Sequence, residues 1–387
     1  MPTRRGTAVV AEVGWVNGLA AIRSLGRHGL RVLAVDHRSW ALGYRSRYAE
    51  RTLAPDPATH EKAFVEAVAA LAEQAGDDTV PVFPTHDEYL NALARHVEEV
   101  PVSLRFPFPS WSDLEAIQSK RHQLDVAESV GVPTPGTRHP RSKEEAVAVG
   151  SDLGYPVLVK PSAPEGFRRQ FGRQAFRCDT QEELEEAFDL AASFEPMVQE
   201  FIPGGDDELY SLGSYLNREG EPLGLFSGRK LRQTRSSMGT CRVGEAVWVD
   251  EVVDEGLRFL RALGFHGLCQ VEFKRDPRDG RYKLMEINPR LWQWHGLAAA
   301  CGVDLPWIAY RDLVGDPPEP VRMRSEGKRW AITFARGSSP ALQRPPYMDA
   351  VFAIDDPKPA LVHGARLARG ALSRPRRRAL GTRKANT

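Results

Sequence analysis

The stretch GLCQVEFKRDPRDGRYKLMEINPR, residues 267–290, decides how this chain folds. Two runs with strand character, 267–274 and 282–288, flank Asp-Pro-Arg-Asp-Gly, the composition of a reversal between antiparallel strands. Partners in an antiparallel pair have residue numbers of constant sum, so a turn centred near Asp279 sets Glu272 opposite Glu286. Side chains alternate faces along a strand. Glu272, Glu286 and Asn288 are therefore expected on one face, with Val271, Phe273, Met285 and Ile287 on the other. The plain alternative is an ordinary buried strand that stops at Asn-Pro. Against it stands the repulsion of two directly opposed carboxylates, which calls for a cation between them. Two carboxylates and an amide oxygen suit Mg²⁺, a hard cation that completes its shell with water and phosphate oxygens. The ligand this predicts is a nucleoside triphosphate.

The chain has 387 residues, enough for two or three domains. Its 52 Lys+Arg nearly balance 51 Asp+Glu, which gives no global argument for nucleic acid. The balance is uneven: no acid follows Asp356, whereas Lys358, Arg366, Arg369, Arg374, Arg376, Arg377, Arg378, Arg383 and Lys384 do. Cys178, Cys241, Cys269 and Cys301 are isolated, without the spacing of a zinc site or a disulfide framework, which fits a reducing cytoplasm. The apolar run near the start is too short for a signal peptide, and no stretch approaches a membrane-spanning length.

TAVVAEVG (7–14), a helical run and LRVLAVDH (30–37) read as strand, helix and strand, the opening of a parallel sheet. Asp36 lies at a ribose-binding distance from Gly14, but Gly14 and Gly18 lack the three-glycine spacing of a dinucleotide site. VPVFPTHDEYLNALARH (80–96) continues the layered pattern, and the first domain ends near residue 115. Helices are expected over 113–130, 142–150, 180–193 and 250–263, with strands around YPVLVKP, 197–201, 222–232 and 241–249. From about 315 the chain turns proline-rich and then arginine-rich, a cap followed by a tail expected to be mobile over 366–384. LVHGARLARGAL within it is alternatively a basic amphipathic helix for an anionic membrane, the less favoured reading.

Lys160 ends an apolar strand, and the loop after it carries Gly166, Gly172, Arg168, Arg169 and Arg173. Backbone donors and cations on a flexible loop are what a polyphosphate needs, although a strand-end lysine alone is usually just solvated. In VQEFIPGGDDELYS a strand runs into Pro-Gly-Gly and then Glu208. The backbone of Glu200, Phe201 and Ile202 could read an adenine edge while Glu208 accepts ribose hydroxyls.

In this order, Lys120, Lys160 with its glycine-containing loop, the QEFIPG hinge, Glu208, VEF and EINPR resemble the ATP-grasp superfamily. The resemblance covers 116–315 as an ATP-grasp domain and 1–115 as the Rossmann-like preATP-grasp domain before it, leaving 316–387 as a C-terminal extension. The fold class it implies is α/β and α+β. The pattern is most similar to carboxylate-amine ligases related to D-aspartate ligase, through NGLAAIRSLGRHG, YRSRYAE, SGRKLRQ and the hairpin. Carbamoyl-phosphate synthetase large chain and biotin carboxylase are more distant. By resemblance, Lys120 and Lys160 contact the α and β phosphates, the 162–174 loop with Gly166 and Arg173 closes over the triphosphate, and Glu200, Phe201 and Ile202 bind adenine. Glu208 takes the ribose, Glu272, Glu286 and Asn288 take Mg²⁺ or Mn²⁺, and Arg290 and Lys230 face the γ-phosphoryl group or the acyl phosphate. Arg173 stands where relatives often carry lysine, which keeps charge but changes donor geometry.

The implied reaction is ATP-dependent: a carboxylate takes the γ-phosphoryl group, and an amine then displaces phosphate from the acyl phosphate to give an amide. Its partners are a small carboxylate and a small amine, with no nucleic acid; a homodimer is compatible with the resemblance. Phosphotransfer or carboxylation on the same fold, or a nucleotide sensor with no chemistry, are the rival readings. Specificity is expected near Arg45, Arg47 and His86 and in the run Trp292, Gln293, Trp294 and His295, with His295 read as structural.

Overall fold

The computed structural model describes residues 6–162, 166–234, 239–332 and 347–372. Its first layer is a parallel sheet of β1 (Thr7–Ala11), β2 (Arg31–Asp36), β3 (Ala49–Leu53), β4 (Val80–Pro84) and β5 (Leu104–Arg105), ordered β3-β2-β1-β4-β5. Every residue of β1 and β4 is buried, as strands covered on both faces require. Along β1, Ala8 and Val10 enter one core cluster while Val9 and Ala11 enter another. Helices α1 (Val16–Arg27), α2 (Glu61–Ala75) and α3 (Asp87–Arg95) join these strands. Strand order reverses between β1 and β4, so the loops leaving their C-terminal ends border a crevice.

The helix expected over 113–130 is two: α4 (Trp111–Gln118) and α5 (Lys120–Ser129) meet at Ser119, whose hydroxyl accepts the His122 N–H at 3.4 Å. That cap places Lys120 at the start of α5. A small antiparallel sheet follows, of β6 (Thr137–Arg138), β7 (Val157–Pro161), β8 (Phe176–Cys178) and β9 (Pro196–Glu200), backed by α6 (Lys143–Leu153). Between β7 and β8 the expected flexible loop contains a short helix, α7 (Phe167–Phe171), and α8 (Gln181–Ala191) precedes β9. Phe167, Phe171, Phe176 and Phe194 stack there edge to face, which explains the order in an otherwise glycine-rich segment. Residues 163–165 of that loop lie outside the described residues.

The large sheet comprises β10 (Leu209–Leu216), β11 (Pro222–Gln233), β12 (Cys241–Ala246), β13 (Gly267–Arg275) and β14 (Tyr282–Asn288), with β15 (Val321–Arg322), β16 (Arg329–Ala331) and β17 (Tyr347–Asp349) added from the C-terminal part. Helix α9 (Asp250–Ala262) buries Val252, Val253, Phe259 and Leu260 in one core cluster with Val271, Phe273 and Ile287.

The β13–β14 hairpin sets Glu272 opposite Glu286, Val271 opposite Ile287 and Gln270 opposite Asn288. A bulge after Glu272 then shifts the register, so Phe273 faces Leu284, and Leu284 rather than Met285 enters the core. One extra residue reverses strand parity. Lys283 consequently pairs with Lys274 on the carboxylate face.

Past the hairpin, Trp292 and Trp294 are almost fully buried and belong to a core cluster. They lie on sheet positions left bare by glycine: a Cβ on Gly213 would come within 2.1 Å of Trp292, and one on Gly244 within 2.8 Å of Trp294. Helices α10 (Gly296–Ala300) and α11 (Leu305–Leu313) continue this layer. Near the C-terminus, buried Asp356 accepts from Arg23 of α1 at 2.9 Å, and Asp355 from Arg27 at 2.8 Å. Of the tail expected to be mobile over 366–384, residues 366–372 lie within α12 (Lys358–Leu372), and 373–387 lie outside the described residues. No helix among the described residues is long and apolar enough to cross a membrane.

Candidate active site

Opposed strand positions bring the Glu272 and Glu286 carboxylates together, and β11 adds Lys230 from the same face, its Nζ donating to Glu272 Oε2 at 2.7 Å. Burial pushes the Glu272 carboxyl up; Lys230 opposes that shift and Glu286 adds to it. For Lys230, burial works against the charge, but attraction to Glu272 holds its pKa above the ordinary lysine value. Lys230 is therefore the counter-ion of the carboxylate pair in the free chain. Asn288 Nδ2 donates to Glu286 Oε1 at 3.5 Å, and its Oδ1 accepts from Arg290 Nη2 at 3.3 Å.

Arg290 reaches back to the first layer. Its Nη2 donates to Asp87 Oδ2 at 3.0 Å while its Nε donates to Oδ1, a two-pronged pair with the first residue of α3. Burial lowers its pKa, but Asp87, Glu286 and Glu272 outweigh that and raise it, which puts the guanidinium in the field of both hairpin carboxylates. Asp87 is held below the usual carboxylate range by Arg290, against the effect of burial. Neighbouring His86 has its pKa lowered by burial and by Arg290 and Arg38, with Asp87 opposing.

Across the cleft, Lys160 Nζ donates to Gln199 Oε1 at 2.7 Å. Desolvation, then repulsion from Lys120 and Lys274, brings its pKa down to about 7, with Glu286 pulling the other way. Lys120, Lys160, Lys274 and Glu286 thus converge from α5, the small sheet and the large sheet. Such crowded cations favour an anion among them.

At the hinge, the Glu200 carboxylate is committed to the Gly136 N–H at 3.1 Å, to Lys283 at 3.3 Å and to Arg278, and its own N–H donates to the Gly136 carbonyl at 2.7 Å. The Ile202 carbonyl accepts from Lys274 at 2.8 Å, which withdraws that oxygen from the expected base edge. Phe201 lies between two cations, 4.5 Å from the Arg177 guanidinium and 5.3 Å from Lys274 Nζ. Glu208 sits after the Pro-Gly-Gly turn, 3.7 Å from Arg275. Gly166 takes φ +81° at the entry to α7, and exposed Arg173 stacks on Phe176 at 5.4 Å.

Other expected specificity residues divide. Arg45 is half-buried with its Nε unpartnered among the described residues, whereas Arg47 turns to the C-terminal segment, its N–H donating to Asp356 at 2.9 Å. His295 is buried with its pKa depressed to about 4 by desolvation, and its Nε2 donates to the Asn17 carbonyl at 3.0 Å. Asp36 is fully buried and accepts the Val13 N–H at 2.8 Å, so it clamps a loop and does not face a ribose. Sequence reasoning missed Asp87, Lys274 and Lys283; of these only Asp87 carried a signal, as an acid just past a C-terminal strand end at the reversal of strand order.

No group of three or more His, Cys, Asp or Glu side chains that could by itself hold a metal ion occurs among the described residues. Two carboxylates and an amide oxygen nevertheless fit Mg²⁺, which commonly takes one or two carboxylates and fills its shell with water and phosphate.

A parallel layer followed by a small and a large sheet closing on one cleft, with lysines and a hinge on one wall and a Glu/Glu/Asn hairpin on the other, defines the ATP-grasp fold. The chain has this fold and is similar to proteins that share it. Residues 248–316 match the family model of the carbamoyl-phosphate synthase L chain ATP binding domain. The chain is similar to D-aspartate ligase from Enterococcus faecium (strain Aus0004), 27% identical over 272 residues. That match covers 66% of this chain and 64% of the ligase, just under two thirds of the relative's length. Among solved structures, biotin carboxylase from Campylobacter jejuni superposes with a TM-score of 0.64 at 19% identity, over 82% of this chain and 72% of that one. L-amino acid ligase from Bacillus licheniformis gives 0.60 at 18% identity, over 82% and 76%.

Proposed function

We propose that the chain is an ATP-dependent carboxylate-amine ligase that forms an amide through an acyl phosphate, releasing ADP and phosphate. The observation that carries this is the convergence of Glu272, Glu286, Asn288, Lys230 and Arg290 on one face, opposite Lys120 and Lys160. In this reading Lys120 and Lys160 hold the α and β phosphates. The hinge backbone of Glu200, Phe201 and Ile202 receives adenine, and Glu208 receives the ribose. Glu272, Glu286 and Asn288 would hold Mg²⁺, which when bound neutralises charge between the β and γ phosphates. Arg290 and Lys230 stabilise negative charge developing on the transferred group, and no protein nucleophile is needed. Asp87 fixes the Arg290 plane, so the guanidinium is preorganised before substrate arrives.

D-aspartate ligase and L-amino acid ligase, by their names, join amino acids, which supports an amino acid as one of the two small substrates here. Four buried free cysteines accord with a reducing cytoplasm. The test is to screen paired carboxylates and amines for ADP and phosphate release. A pair that releases both and yields an amide supports the ligase; ADP without free phosphate makes the chain a phosphotransferase, and no ADP under any pairing sinks an enzymatic role.

A further inference from the structure

Three loops leave the C-terminal ends of neighbouring parallel strands: Trp15 follows β1, Arg38 and Trp40 follow β2, and His86 and Asp87 follow β4. Large indoles seldom face water, yet Trp15 is 54% and Trp40 45% exposed. Their rings meet edge to face with centroids 6.3 Å apart. The Arg38 guanidinium lies 5.9 Å from one ring and 5.3 Å from the other. Arg38 is fixed in turn, its Nε donating to Asp36 Oδ1 at 2.8 Å and its Nη2 to Glu12. The indoles are thus mounted on a braced cation and are not loose surface side chains. His86, on the loop after β4, is within the fields of both Arg38 and Arg290, and it directly precedes Asp87, which pairs with Arg290.

We infer that Trp15, Arg38 and Trp40 form the specificity platform for one substrate, a small carboxylic acid or amino acid whose side chain carries a flat aromatic ring. This rests on the ligase reading for the identity of the reaction, but the platform itself is a binding site that can be probed without turnover. An aromatic ring gains by stacking against indole beyond the area it buries, and the braced guanidinium keeps both indoles in place to receive it. Its reactive group would then point along the crevice past His86 toward Arg290. A small acidic side chain finds no such gain, because Arg38 is already neutralised by Asp36 and Glu12.

The experiment is isothermal titration of the full chain with L-tryptophan, L-phenylalanine and indole-3-propionate, against L-aspartate and L-alanine. The platform predicts that an aromatic ligand binds about tenfold or more tightly than L-alanine, that Trp40→Ala and Trp15→Ala each remove most of that preference, and that Trp40→Phe keeps much of it. Both side chains are exposed, and a thermal melt of each variant establishes that it is folded. Equal affinity for aromatic and small ligands, no aromatic binding, or a preference untouched by both alanine substitutions would overturn the platform. Failure of the two readings is distinguishable: aromatic binding lost in the variants but no ADP from any pairing sinks the ligase alone, and ADP formed with small acids but no aromatic preference sinks the platform alone.

Discussion

Replacing Arg290 by lysine keeps the charge but removes the planar fork that grips Asp87 with two nitrogens. The structural cost should be small. Asp87 is 47% exposed and Arg290 16%, so solvent screens the pair and its net worth is about 0–1 kcal/mol. The catalytic cost should be larger, because a lysine cannot present two donors to one phosphoryl group. If Arg290 acts as other preorganised oxyanion donors do, about 2–4 kcal/mol of transition-state stabilisation is lost, roughly 30- to 1000-fold in kcat. The assay is ADP release coupled to NADH oxidation at saturating ATP, run beside a thermal melt of the same preparation. The melting temperature should fall by no more than about 3 °C while kcat collapses and the nucleotide Kd barely moves. An unaltered kcat with weakened nucleotide binding, or a kcat loss matched by a large stability loss, would refute the reasoning and leave Arg290 a domain-to-domain strut.

Glu286→Gln should abolish turnover without lowering the melting temperature, since it relieves repulsion with Glu272 while Lys230 stays paired; a wild-type rate would remove the metal assignment. Lys160, at about 7 in the free chain, must be protonated to hold phosphate, so its pKa rises on nucleotide binding. ADP affinity should therefore weaken as pH climbs from 7 toward 9, with proton uptake measured by calorimetry in buffers of different ionisation enthalpy; a flat profile contradicts this. Trp292→Ala, emptying a packed position over Gly213, should cost about 3–5 kcal/mol in urea unfolding, and a change under 1 kcal/mol would mean the site is not core.

The hairpin was legible because its turn composition and two acids at matched distances from that turn specify register directly. The bulge was not, since a constant-sum rule carries no record of one inserted residue, and so Met285 was placed on the core face that Leu284 takes. Lys274 looked like an ordinary charged strand end; its bonds to the Ile202 and Gly204 carbonyls depend on chain 70 or more residues away. Asp87 meets Arg290 across 203 positions, beyond any local pattern. Tryptophans after the hairpin read as specificity residues because their partners, Gly213, Gly228 and Gly244, lie on three other strands and show nothing of the indoles they admit. Composition did locate the basic C-terminal end, but not the Arg23–Asp356 pair that anchors the chain before it.

The central claim is that a substrate carboxylate takes the γ-phosphoryl group of ATP before the amine attacks. Supplying the acid that raises ADP formation with ¹⁸O in its carboxylate, and analysing released phosphate by mass spectrometry, tests this without assuming any residue's role. The account predicts that one ¹⁸O appears in each phosphate released. Unlabelled phosphate, formed alongside amide product, would contradict it.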